Sequence, residues 1–347
     1  MSKSLLLDWP GAVEAAWPDE GVAWHYGEPM REQRAAEESA AVVDRSTRGV
    51  LRITGADRLT WLHSLTTQHL EKLATGTAAE ALILSPNGHV EHHLTLTDDG
   101  TTTWLHTEPG TAPALVEFLE SMRFMMRVEM ADVSADYAVL TVLGPRAGDL
   151  VTGLEGVTAR FEPGPFGAID LVMERDLLAE TAGNLVRRGA VAAGMWAFEA
   201  LRIAAHVPRL GLDTDHRTIP HEVGWIETAV HLSKGCYRGQ ETVARVHNLG
   251  HPPRRLVLLN LDGSADRLPE HGDPVEAAID GQSVTVGFTG SAARHYELGP
   301  IGLGLVKRTV PVDAPLLAGG IPAAQEIIVP PDAGTNVKVT LRRRQIV

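Results

Sequence analysis

Apolar positions recur along this chain with two periods, and where one gives way to the other marks its organisation. Gly49–Thr54 sets β-branched and apolar residues ahead of the Gly55 turn, a strand pattern. Asp57 then opens a helix in which Leu59, Leu62, Leu65 and His69 keep helical spacing. Residues 81–84 read as a short strand, Ser85-Pro86-Asn87-Gly88 as a turn, and 90–97 as the returning partner. Asp98-Asp99-Gly100 turns again into Thr102–Thr107. Pro113 lies in the first turn of the clearest helix, and Leu115, Phe118, Leu119, Met122, Met125 and Met126 line one face of it. That Met-rich face is expected to fill a core.

A second cycle comes next, with strands at Tyr137–Leu143 and 168–173 and helices at 145–151, 177–188 and 192–205. Strand–helix–strand–strand twice over predicts an α+β protein: two related, ferredoxin-like units with helices on one face of an antiparallel sheet. From Arg254 onward the apolar period shortens. Segments 256–259, 283–289, 301–306 and 337–342 alternate between Gly, Pro and Asp-Gly turns, which predicts a small β-barrel. The expected domains are an N-terminal arm over 1–45 with a helix at 31–41, α+β units over 46–135 and 136–250, and the barrel over 251–347.

Composition narrows the function. Thirty-one Lys and Arg against 44 Asp and Glu give a net charge of −13, which argues against general affinity for nucleic acid or anionic membrane. Arg342, Arg343 and Arg344 form one local basic patch, read as a solvated strand end. One cysteine makes no internal disulfide, which fits a reducing cytoplasm, and no stretch reads as a signal peptide or membrane span.

That cysteine sits in Lys234-Gly235-Cys236-Tyr237-Arg238-Gly239-Gln240-Glu241, just before a helix-like run. Flanking cations and a helix N-terminus favour a thiolate. The same pattern fits a tight turn with a buried, inert cysteine, in which Gly235 and Gly239 accept no side chain without strain. Lys234 is the cation placed to activate Cys236 if the two side chains converge, Tyr237 packs or donates its hydroxyl, and Gln240 and Glu241 cap the helix or face a channel. His89, His92 and His93 share a strand with Glu91 in a spacing too loose for a metal site, and none is assigned.

Three stretches together resemble the YgfZ branch of the YgfZ/GcvT family, folate-binding proteins related to the glycine-cleavage aminomethyltransferase. They are Asp44-Arg45-Ser46 through Val50 to Asp57, Glu199 through Arg209, and residues 234–241, the last being similar to the branch signature K-G-C-Y-x-G-Q-E. The resemblance runs from about residue 40 to the C-terminus. It implies a ring-like arrangement of the two units and the barrel, with tetrahydrofolate or a one-carbon derivative in a central channel. It also implies support of iron–sulfur protein assembly or repair, with client or assembly proteins as partners, and an influence on tRNA modification. Cys236 is then the expected reactive centre. Trp196 and Phe198 lie where relatives set an aromatic against folate, though Phe198 also fits a core face with Leu201 and Ala205. Glu199 and Arg202, three apart, either pair on the surface or reach the pterin donors and the glutamate tail. Arg48 aligns with a folate-touching position and equally suits a surface arginine. The transferase's paired aspartates read here as His92 and His93, and the glutamate of its R-I-E-A-G run as Ala204. Neutral imidazoles supply no permanent anion, so glycine cleavage is not expected. A folate-dependent one-carbon transferase on a small amine or tRNA base, and a non-catalytic folate sensor, stand as the alternatives.

Overall fold

The computed structural model describes residues 3–162, 164–279 and 281–334. The expected strand at 337–342 and the Arg342–344 patch lie outside the described residues. The first sheet has the strand order Ala79–Leu84, Val90–Asp98, Thr102–Thr107, Gly49–Thr54, Glu129–Asp132, antiparallel throughout. Helices Arg58–Leu65 and Ala112–Ser121 cover one of its faces through Leu62, Leu65, Leu115 and Leu119. The second sheet runs Val157–Phe161, Ile169–Glu174, Tyr137–Leu143, Ala41–Asp44, Val191–Ala193, and only its last pairing is parallel. Val50, Trp104, Val139, Phe161 and Val172 pack the two sheets together. Six strands between Arg254 and Ile327 close into a barrel.

Three expectations are corrected. Ala41–Asp44 is an inner strand of the second sheet rather than the end of an arm; all four of its residues are buried, so it carries no alternation to read. The helix expected over 192–205 is a strand, Val191–Ala193, then helix Met195–Ala204. Between them, a Cβ on Gly194 would lie 2.2 Å from the Trp24 carbonyl oxygen, so the chain makes its corner against the N-terminal segment. The Met-rich face is core in part: Leu115 and Leu119 are buried and Phe118 and Met126 pack against them. The helix stops at Ser121, Phe124 takes a left-handed φ of 45°, and Phe124 and Met125 are 92% and 84% exposed.

Helix Met195–Ala204 joins the parts of the molecule on which the candidate site is built. It touches both the barrel and the N-terminal helix Pro29–Glu38. It ends in a Schellman turn: the Val207 N–H donates to the Arg202 carbonyl (2.9 Å), and His206 N–H to Ile203 (3.0 Å). His206 holds φ +63°, where glycine is the usual choice. A core of Leu82, Leu84, Val90, Ile203, Trp225, Val243, Leu256 and Leu303 joins first sheet, helix, connecting loop and barrel.

Candidate functional site

Arg209, beyond the helix, is buried and spends its guanidinium on Asp19 (2.8 Å), Glu108 (2.8 Å) and Glu199 (2.8 Å). Arg202 pairs with Glu199 and with Asp213 (2.9 Å), and donates to the barrel's Ser291. Arg48 donates to Glu108 (2.7 Å) and to His106 Nδ1 (2.9 Å), and His106 Nε2 lies 3.1 Å from Asp170, which also holds Arg45. Burial alone would raise the Glu199 carboxyl, but Arg202 and Arg209 pull it down to about 2. Burial and the Arg48 cation push His106 down to about 4, so it stays neutral. The network ties the N-terminal segment, both sheet units and the barrel together. Arg48, Glu199 and Arg202, read from sequence as surface or folate contacts, are therefore buried and committed to protein partners.

The aromatic candidates are similarly engaged. Trp196 stacks on Trp24 (ring centres 5.7 Å apart) and donates to the Arg294 carbonyl. Phe198 lies under the Arg45 guanidinium at 4.1 Å and edge-on to Phe166.

The signature loop lies across the first sheet. Gly239, at φ +81°, opens helix Gln240–Leu249, and a Cβ there would come within 2.5 Å of the Ser85 carbonyl oxygen. Only glycine permits that contact. Gly235 has open space around it, so the expectation of strain there is not met. The Gln240 side chain accepts from the Tyr237 N–H (3.1 Å), and Arg238 pairs with Glu91 (2.9 Å) over the Phe118 ring. Burial lifts the Tyr237 phenol to about 12. Lys234 donates to the carbonyls of His63 and Thr66 at the end of helix Arg58–Leu65, where a cation meets the negative end of the dipole. Burial lowers it to about 8. Its ammonium thus anchors the loop, while Cys236 and Glu241 are exposed, which overturns the buried-cysteine reading.

His63, His69 and Glu71 stand beside this anchor with potential ligand atoms within 4.8 Å of one another. However, His63 Nδ1 accepts from the Leu70 N–H (3.2 Å), which leaves the proton on Nε2, the nitrogen a metal would need. On the neighbouring strand, His92 packs by Phe118, and burial with the Arg238 cation pushes it down to about 4. His93 stacks on Trp225 with ring centres 4.7 Å apart.

Where the first sheet, the turn after helix Met195–Ala204, the 221–233 loop and the segment after the last barrel strand meet, they form an open cavity of about 1210 Å³. Trp225 and Phe166 offer it aromatic surface, and Phe166 and Ala205 also line a second cavity of about 620 Å³. Among the described residues no Lys or Arg lines the larger one; its polar wall is Gln68, Glu80, Thr95, Glu227, Thr228, Ser233 and four histidines, His206, His221, His231 and His247. Burial alone would raise the Glu80 carboxyl, yet His93 (3.8 Å away) and Thr228 hold it below its ordinary value, so an anion faces the cavity. Of the three stretches that carry the resemblance, only the end of Glu199–Arg209 reaches this space, through Ala205, His206, Val207 and Pro208; none of the candidate site residues lines it. Three of its histidines, His206, His221 and His231, fall in the 206–233 segment, and their density there is the signal that the sequence carries.

Residues 21–171 match the family model for the GCVT N-terminal domain. A chloroplastic protein of Arabidopsis thaliana, provisionally named a transferase, is 26% identical over 82% of this chain and 70% of its own length. The aminomethyltransferase of Symbiobacterium thermophilum is 27% identical over 78% of this chain and 80% of its own. The crystal structure of the glycine cleavage system aminomethyltransferase T from Bartonella henselae superposes with a TM-score of 0.78 at 19% identity, covering 93% of this chain and 94% of that one, which shows a shared fold. The domain match and the aminomethyltransferase relatives together support the GcvT superfamily for this chain.

Proposed function

We propose that this protein binds tetrahydrofolate, or a one-carbon derivative of it, in the 1210 Å³ cavity. In this reading it serves in the cytoplasm as an accessory protein of the YgfZ type for iron–sulfur protein assembly or repair, with an influence on tRNA modification. The cavity carries the reading. It is large enough for a drug-sized ligand, for which about 300–1,000 Å³ is usual, and its wall is mostly apolar with a few convergent polar groups. Trp225 and Phe166 suit a flat heteroaromatic ring. A one-carbon derivative of tetrahydrofolate, when bound, would supply the carried group, and tetrahydrofolate itself would accept one. The chain contributes a cleft to hold it and, on the anchored signature loop, an exposed thiol to meet an iron–sulfur client. The test is complementation of a strain lacking the gene: Cys236→Ala should leave iron–sulfur enzyme activity as low as the deletion does. Full restoration would remove Cys236, and with it the accessory mechanism.

A second reading, a folate-dependent one-carbon transferase, is favoured by Glu80. It puts an anion on the cavity wall 3.8 Å from His93, one of the two histidines that stand at the transferase's aspartate positions. Turnover of methylene-tetrahydrofolate with an amine acceptor, lost in Glu80→Gln and kept in Cys236→Ala, would favour it.

A further inference from the structure

His221 is 3% exposed and lines the large cavity, and neither of its ring nitrogens has a hydrogen-bond partner among the described residues. Buried polar side chains are nearly always paired, so a ring with both nitrogens unmatched has a partner still to come. The neighbouring carboxylate cannot serve. Glu222 accepts from Arg254 through both oxygens (2.8 Å each) and from the Ile219 N–H (3.1 Å). Burial and the adjacent His247 push His221 down to about 4, so at neutral pH the ring is uncharged, with one N–H donor and one lone pair. The absence of any lysine or arginine among the described lining residues leaves no strong counter-charge for a dicarboxylate.

Resting on the folate reading, we propose that His221 is the specificity-determining residue of the cavity, hydrogen-bonding the uncharged pterin ring rather than the anionic tail. The pterin edge carries amide N–H and carbonyl groups, which match a neutral imidazole of either tautomer.

The experiment is calorimetric titration with tetrahydrofolate under reducing, oxygen-free conditions, together with the melting temperature of each ligand-free protein. His221→Phe keeps the shape and removes both nitrogens. Its affinity should fall at least tenfold, about 1.4 kcal/mol, while its ligand-free melting temperature holds or rises because no orphaned polar group is left buried. His221→Gln, which retains a donor and an acceptor, should recover part of the loss. Unchanged affinity in His221→Phe alongside normal wild-type binding would overturn the inference and leave the folate reading standing. A lowered ligand-free melting temperature, or failure to fold, would make His221 a packing residue and overturn it too. Absence of tetrahydrofolate binding by the wild type would remove the folate reading itself, and this inference with it.

Discussion

The arginine–carboxylate network around helix Met195–Ala204 and the cavity wall, which begins at the turn after that helix, treat buried polar groups in opposite ways. In the network Arg209 makes five hydrogen bonds to three carboxylates, and Arg202 is equally occupied by Glu199, Asp213, Ser291 and the Val207 carbonyl. On the cavity wall, His221 satisfies neither ring nitrogen. The two saturated guanidinium groups fix how the units sit together, whereas the unmatched His221 ring faces a cavity from which a ligand can supply its partner.

Breaking the saturated side should have the largest effect. Arg209→Leu leaves Asp19, Glu108 and Glu199 buried without their shared cation, and denaturant unfolding should show a loss of about 3–5 kcal/mol. A loss below about 1 kcal/mol would mean that the network relaxes freely.

Acid should act next, chiefly through buried neutral histidines. His92, His106 and His221 are each pushed down to about 4 in the folded protein, against an ordinary value near 6.5. Below about 6.5 the unfolded chain takes up protons that the native state refuses, so stability should fall as pH drops from about 6.5 towards 4. The melting temperature at pH 7 should exceed that at pH 5, and His221→Phe should lessen the difference. A flat profile would mean that these rings are not held neutral.

Two smaller changes refine the picture. His206→Gly relieves the left-handed backbone at the Schellman turn, and should change stability by no more than about 1 kcal/mol in the favourable direction. A loss instead would assign the imidazole a packing role at the cavity. Cys236→Ser, at an exposed position, should stay within about 0.5 kcal/mol of wild type by denaturant unfolding. A larger cost would make the thiol structural.

Elements with a clear apolar period could be read in the sequence: Gly49–Thr54, Thr102–Thr107 and Tyr137–Leu143 are strands as expected, and the alternating tail forms the barrel. Ala41–Asp44 escaped because a strand buried on both faces lacks alternation. For the site, Glu199 and Arg202 do pair at i,i+3, but in the interior rather than on the surface: Arg209 and Asp213 fold back from the segment just after the helix and Ser291 comes from the barrel, a convergence that no local spacing shows. His221 and Trp225 were invisible for the same reason. Their meaning depends on a cavity that exists only once the barrel closes against the first sheet.

The most direct measurement tracks the fluorescence of the protein's seven tryptophans during titration with tetrahydrofolate, with stoichiometry from calorimetry. Trp225 lines the cavity, while Trp196 is stacked on Trp24 and hydrogen-bonded to the barrel. A saturable quench at one ligand per chain, lost in Trp225→Phe and retained in Trp196→Phe, is the expected result. No saturable change by either method, or a quench that depends on Trp196 instead, would contradict a folate site in this cavity.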